Sequence, residues 1–354
     1  MSIESITTSA PGRICLFGEH QDYLDLPIIA SAISKRFFFT GTRNSSTEIQ
    51  VYFKDLGQHE TFNLSNLAYR HPRDYLKSSI NVLIKSGYEI SYGFTAEAWS
   101  NIPIKAGVSS SSAMVNAWML LVLQINGYLV PDAIDLGRMV YEAEVEEFGE
   151  PGGRMDQYTI AFGNTIYLEN QPEIKAVRLP LIAGGFILAN SGQEKDTIPV
   201  LAFAKDRRLR LLEKIRTEIS DYTWAANDNP SFSFLTKEEN DLLNATIRNR
   251  SILEEALSIW KVKDFNQNEF GKLLYEHHKI LSKYLGVSTP LIDQTIEGCI
   301  HLGALGGKIV GSGGGGCFII YFREEPGHIL EYLQTLGMES FVVEQDEGTR
   351  VESL

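Results

Sequence analysis

Pro103-Ile104-Lys105-Ala106-Gly107-Val108-Ser109-Ser110-Ser111-Ser112-Ala113 runs directly into an apolar segment from Met114 to Ile125. That segment contains no Gly or Pro and reads as a helix. The four serines at its head compete for backbone hydrogen bonds, and Gly107 frees the turn, so the helix is expected to begin near Ser110. A helix N-terminus presents unpaired N–H groups and about half a positive charge, which suits a phosphate. A capped helix after a polar turn accounts for the same residues. No G-x-x-x-x-G-K-[ST] is present, so the loop is not a Walker A element.

Working outward, in the upstream stretch Pro11-Gly12-Arg13-Ile14-Cys15-Leu16-Phe17-Gly18-Glu19-His20-Gln21-Asp22-Tyr23, the apolar run Ile14 to Phe17 reads as a buried strand ended by Gly18. Glu19, His20 and Asp22 then crowd ionisable groups into one turn, an arrangement suited to hydrogen-bonding a polyol. A solvated turn is the alternative. Downstream, a helix from Pro131 ends in Glu142, Glu144, Glu146 and Glu147. Acids at a helix C-terminus oppose the macrodipole, so they form a solvated face or include one held for a metal. Gly149-Glu150-Pro151-Gly152-Gly153-Arg154-Met155-Asp156 makes a tight turn into a short helix. Asp156 there either caps the helix or accepts a proton from, or orients, an attacking hydroxyl.

Gly306 to Cys317 packs glycine densely before the strand Phe318–Phe322, as expected where backbone approaches something closely. Strands are expected at 35–43, 47–53 and 90–99, and at 165–168, 177–181 and 185–189. The last three close a first domain whose boundary falls near 180–195. Helices are expected at 73–86, 200–219, 237–260, 265–285, 290–302 and 326–336. His277 and His278 point to different sides of their helix, against a shared metal.

The 354 residues suggest two domains, and 44% apolar with 22% charged residues is the composition of a soluble globular protein. A net charge of −13 argues against nucleic acid as partner but not against an anionic nucleotide. The N-terminus has no basic, apolar leader, and no apolar run approaches the roughly 18 residues of a membrane span. Cys15, Cys299 and Cys317 form neither a disulfide framework nor a zinc site, so a reducing cytoplasm is expected.

Together, the three loops resemble the signature of the GHMP kinases, the family of galactokinase, homoserine kinase, mevalonate kinase and phosphomevalonate kinase. The resemblance spans residues 10–322 and is closest to the galactokinases. Pro11-Gly12-Arg13 and Gly18-Glu19-His20-Gln21-Asp22-Tyr23 resemble P-G-R…G-E-H-T-D-Y. Pro103 to Ser111 resembles P-x-G-A-G-L-S-S-S, and Ala143-Glu144 with Met155-Asp156-Gln157 resembles A-E…M-D-Q. Leu285-Gly286-Val287-Ser288-Thr289-Pro290 also has a family counterpart. Mevalonate kinases usually carry Lys at the place of Arg13 and no Asp at that of Asp22. In this chain Lys105 replaces a usual glycine and Ser112 a usual alanine. The length is short for a galactokinase. Asp206-Arg207-Arg208 stands in the region of a Y-N-x-R-R segment but lacks its Tyr-Asn.

The resemblance implies an α+β chain of two domains. Residues 1–185 would form a ribosomal-protein-S5-like α/β domain and 186–354 a ferredoxin-like domain, with the site between them. It implies ATP and Mg²⁺ as cofactors and phosphorylation of a monosaccharide, galactose first, to the sugar 1-phosphate. A heptose or heptose phosphate, or mevalonate, is the alternative substrate, and a weakly catalytic sugar sensor is the alternative of another class. Asp156 and Arg13 would be catalytic. Glu19, His20, Asp22 and Gly153 would read the sugar. Ala106, Gly107, Val108, Ser109, Ser110, Ser111 and Ser112 would hold the ATP phosphates, with Ser111 and Glu144 on the metal. Gly311, Ser312, Gly313 and Gly314 would support the site. A monomer or homodimer without nucleic-acid or membrane partners is expected.

Overall fold

The computed structural model describes residues 5–103, 107–150, 152–193, 197–224, 230–262 and 264–352. The chain opens with β1 (Ile6–Phe17), β2 (Ile28–Arg43), β3 (Glu48–Phe53), β4 (Gln58–Asn63), α1 (Tyr75–Lys85) and β5 (Phe94–Ser100). Next come α2 (Ser110–Ile125), α3 (Ala133–Tyr141), a π-helical turn at Glu142–Glu146, α4 (Met155–Phe162), β6 (Thr165–Glu169) and β7 (Lys175–Leu179). The second half runs β8 (Gly185–Asn190), α5 (Thr197–Glu218), α6 (Lys237–Ile259), α7 (Gln267–Ile280), α8 (Pro290–His301), β9 (Gly306–Ile309) and β10 (Cys317–Phe322). It ends with α9 (Gly327–Thr335), β11 (Glu339–Val343) and β12 (Arg350–Val351).

Two sheets result. The larger has the order β12-β1-β2-β5-β3-β4, with β6 on β2 and β7 on β6. Its pairs are antiparallel except β3 with β5. The smaller has the order β11-β8-β10-β9, antiparallel throughout. Counted from β8 to β11, that is the 4-1-3-2 order of a ferredoxin-like βαββαβ unit, with helices in both crossovers.

The helix predicted from the apolar run starts at Ser110, as its sequence implies. It is buried on nearly every face, which explains an apolar pattern without a polar stripe. Trp118 donates its indole N–H to Leu76 O at 3.0 Å, and Thr8 Oγ1 donates to Ala117 O at 2.8 Å. α2 is therefore pinned to both α1 and β1, and its N-terminus cannot drift. Elsewhere the caps are local in origin. Asp132 caps α3, Thr236 and Glu239 form a capping box on α6, and Thr289 with Pro290 opens α8.

Three expectations change. Gly185–Asn190 does not close the first domain: as β8 it is an interior strand of the second sheet, between β10 and β11. Its near-continuous apolar run is that of a strand buried on both faces. The strand β4, whose polar Gln-His-Glu-Thr pattern gave no apolar alternation, lies at the edge of the first sheet. Finally, the last residues leave the second unit. β12 pairs with β1, Ile33 bridges to Gln345, and Gly163 bridges to Glu347.

Arg36 fastens this returning tail. Its buried guanidinium donates to Ser9 Oγ at 2.8 Å, Ser9 O at 3.3 Å, Asp346 Oδ2 at 2.8 Å, Glu347 O at 2.9 Å and Gly348 O at 2.7 Å. Replacing Arg36 by Met leaves these acceptors without their donor and should cost about 3 kcal/mol. The expected result is a lower urea midpoint and early proteolysis after residue 343. An unchanged midpoint would refute the tether.

Candidate active site

The three loops picked out in the sequence meet around one cleft of about 490 Å³. The strand β1 reaches it through a break in register between Pro11 and Gly12. Past that break, β1 still pairs with β2, and the Arg13 backbone N–H bonds Val108 O at 3.0 Å. The serine loop is thereby tied to the strand. Gly107 (φ 76°) and Ser109 (φ 61°) both adopt left-handed conformations, which curl the loop into the start of α2. Ser109 stands at the N-cap position but does not cap. Its hydroxyl donates instead to Asp156 Oδ2, leaving the first-turn N–H groups of α2 without a side-chain partner at the cleft wall.

Asp156 lies at the start of α4, and it does not cap that helix either. Oδ1 accepts from Arg13 Nε at 2.7 Å, while Arg13 Nη1 donates to Gly107 O at 2.8 Å. One guanidinium thus holds a carboxylate and the serine-loop backbone together. The π-helical turn presents Glu144 to the same wall. Its Oε1 accepts from Ser111 at 2.7 Å; its Oε2 accepts from Ser112 at 2.6 Å and Gln157 Nε2 at 2.7 Å. Burial pushes the Glu144 carboxyl up, with the three donors opposing it.

At the other end of the cleft, Glu19, His20 and Asp22 line the wall with Gly152 and Gly153. A Cβ on Gly153 would overlap the Asp22 carboxylate, so glycine is required for this close approach. Burial, and then the neighbouring Asp156, pushes the Asp22 carboxyl up to about 6. Burial, and then the Arg208 charge, holds the His20 imidazole down at about 3. Glu19 differs from its neighbours because both its oxygens are engaged. Oε2 pairs with Lys308 Nζ at 2.5 Å and Oε1 accepts from Gly311 N at 3.0 Å.

Gly311 and Ser312 line the cleft; Gly313 and Gly314 lie behind it against Val287, whose carbonyl accepts from Gly314 N at 2.7 Å. Ala106 and Lys105 lie outside the described residues. Every other residue singled out for the site is in the cleft wall except Gly313 and Gly314.

The chain is similar to known proteins in sequence and in fold. A model described as GHMP kinases N terminal domain matches residues 74–164, and one described as GHMP kinases C terminal matches 258–337. A third, the galactokinase galactose-binding signature, matches 2–43. The galactokinase of Thermotoga maritima is 30% identical over 339 residues, 92% of this chain and 91% of its own. The mevalonate kinase of Thermococcus gammatolerans is 25% identical and covered at 99% on both sides. Among solved structures, the galactokinase of Lactococcus lactis complexed with galactose superposes with a TM-score of 0.87 at 21% identity. That match covers 98% of this chain and 95% of the other.

The chain belongs to the GHMP kinase family.

Within this GHMP kinase, sequence reading assigned no role to Lys308 or Arg208, and Gln157 stood only within the Met155-Asp156-Gln157 match. Lys308 and Arg208 act on residues far away in the chain, so no local pattern marks them. A lysine before the glycine run and an Arg-Arg pair on a helix are the only traces. Arg208 is fully buried against Tyr23, whose hydroxyl it donates to.

The Asp22 shift has a consequence for stability. A carboxyl raised in the folded state holds its proton more tightly there, so stability falls as pH rises from the unfolded value to about 6. Above that window the ionised carboxylate costs on the order of 3 kcal/mol. Asp22→Asn should therefore raise Tm at pH 7.5, and the gain should shrink as pH falls through 6 towards 4. Thermal melts across that range decide it; a Tm lowered at pH 7.5 would contradict the shift.

Proposed function

We propose that this GHMP kinase transfers the γ-phosphoryl group of ATP to the anomeric hydroxyl of a free monosaccharide, with galactose the first candidate. The observation that carries the reading is Asp156, held by Arg13 and Ser109 where the serine loop faces the Glu19–Asp22 turn. In this reading the α2 N-terminus and the loop amides bind the phosphates. The sugar lies towards His20, Asp22 and Gly153, with its reacting hydroxyl on Asp156.

Asp156 orients that hydroxyl and accepts its proton as the new O–P bond forms, and the bond to the ADP oxygen breaks. Arg13 balances the charge shared among carboxylate, hydroxyl oxygen and phosphoryl group. Phosphoryl transfer needs such positioning and charge neutralisation more than covalent chemistry. Asp22 accepts hydrogen bonds from sugar hydroxyls. Glu19 is committed to Lys308 and Gly311, so in this reading it shapes the sugar turn rather than touching the sugar.

The Ser111 hydroxyl and Glu144 carboxylate form a hard oxygen set, which fits Mg²⁺. Burial that disfavours an uncompensated Glu144 charge fits a cation as well. Ser111 and Glu144 Oε1 would hold it, while Ser112 and Gln157 keep Oε2 in place. When bound, Mg²⁺ supplies charge neutralisation on the phosphates.

A sugar is favoured over mevalonate by Asp22 packed on Gly153, since mevalonate kinases lack an Asp there. No helix among the described residues is long and apolar enough to cross a membrane. The three free cysteines are buried, which suits a reducing cytoplasm.

The test is ADP release from Mg-ATP against free sugars, sugar phosphates and mevalonate. Galactose should give a clear rate. Asp156→Asn should lower kcat by about three orders of magnitude with the fold and ATP affinity intact. Turnover with mevalonate alone would overturn the sugar reading, and ATP binding without turnover of any acceptor would favour the sensor.

A further inference from the structure

The His20 end of the cleft contains a hydrogen-bonded series that phosphoryl transfer does not use. Arg208, on α5, is completely buried. Its Nε donates to Ala204 O at 3.0 Å, and its Nη2 donates to the Tyr23 hydroxyl. The guanidinium carbon lies 5.2 Å from the Tyr23 ring centroid. Tyr23 in turn lies edge-on to His20, with its hydroxyl 3.1 Å from His20 Nδ1. The series crosses from a helix following β8 to the turn following β1.

The direction of each hydrogen bond follows from the chemistry of the donors. A guanidinium only donates, so the Tyr23 oxygen accepts from Arg208. The phenol keeps one proton, and among the described residues His20 Nδ1 is the acceptor within its reach. Nδ1 must then be the unprotonated nitrogen of a neutral ring, and the ring proton sits on Nε2. The reverse tautomer would leave the phenolic proton unmatched in a buried place, which costs about 1–3 kcal/mol. Nε2 itself is buried and makes no well-formed hydrogen bond among the described residues, the Gly311 and Ser312 backbone lies near the ring, and His20 lines the cleft.

We propose that Arg208 and Tyr23 are positioning residues that lock His20 as an Nε2–H donor for an oxygen of the substrate. The inference rests on reading this end of the cleft as the sugar end. It gives the Arg207-Arg208 pair a task despite the missing Tyr-Asn. It also states what the substrate must present at that position: an acceptor oxygen, such as a hydroxyl or ring oxygen, and not a donor alone. Arg208 supplies the fixed direction, since its always-charged group cannot become an acceptor. A neutral imidazole is consistent with the low His20 value, which burial and the Arg208 charge both favour.

The test combines a spectroscopic and a kinetic readout. ¹⁵N-correlated imidazole spectra of the free full-length enzyme at pH 7.5 report which nitrogen carries the proton. His20 is assigned among the seven histidines by its loss in His20→Gln. The expected spectrum has a pyridine-like Nδ1 and a pyrrole-like Nε2. In Tyr23→Phe the two tautomers should mix, KM for the sugar should rise about tenfold, and kcat and KM for ATP should stay within about twofold. A wild-type ring protonated on Nδ1 would overturn the proposal. So would a tautomer unaltered in Tyr23→Phe, or a loss confined to kcat or to ATP. The spectra need no turnover, so they decide the lock even if no sugar is phosphorylated, an outcome that would defeat only the proposed function.

Discussion

A buried ion pair between Glu19 and Lys308 joins the two sheets beneath the cleft, and the site geometry depends on it. Glu19 follows β1 and Lys308 sits in β9, and both are almost fully excluded from solvent. Lys308 Nζ also donates to Cys15 O at 2.9 Å and Ile309 O at 2.7 Å, so all three of its donors are used. Glu19 uses both oxygens. Such a pair adds little net stability, because desolvation offsets the Coulomb attraction, but breaking it leaves a stranded charge. It therefore serves register. With Gly311 N fixed on Glu19, a Cβ on Gly311 would come within 2.6 Å of Gly107 O. The glycine loop thus presses on the serine loop, whose Gly107 O accepts from Arg13, which holds Asp156. The spacing of Arg13 and Asp156 is set from the second sheet as much as from the first.

This dependence explains what could be read from the sequence. Ser110 as a helix start and Asp156 at a helix start each follow from a few adjacent residues. Local chemistry dictated them: serines disfavour helix interiors, glycines permit left-handed turns, and an apolar run without a polar stripe must be buried. Lys308, Arg208 and the returning tail follow from nothing local. Lys308 reads as one more polar residue in a short strand, and its partner is 289 positions away. β8 was misplaced for the same reason. Its sequence announces a buried strand, but only pairing with β10 and β11 says which sheet it enters.

Charge was equally opaque in the composition. An acidic chain of net charge −13 has, around this cleft, Arg13, Arg73, Lys308 and Arg208 against Glu19, Asp22, Glu144, Glu150 and Asp156. The acids are mostly engaged: Glu19 with Lys308, Asp156 with Arg13, Glu150 with Arg73. The amides at the α2 N-terminus have no side-chain cap. The local field at the serine loop is therefore set by unpaired dipoles rather than by the sum of charges, and those dipoles favour an anion.

The cleft is also where local preference is most often overruled. Of the non-glycine residues with left-handed backbone among those described, His20, Ser109 and Arg73 all line it. Asp22 is held where its charged form is penalised, and among the described residues His20 Nε2 and Ser312 Oγ are buried without a well-formed hydrogen bond. None of this lowers the energy of the empty enzyme. It persists because α2, buried almost all round, and the Glu19–Lys308 pair leave the loops no cheaper arrangement. A ligand that presented an acceptor to His20 and hydrogen-bond donors to Asp22 would relieve these penalties on binding. Binding free energy and the instability of the free site would then have the same origin in groups deprived of water and awaiting partners.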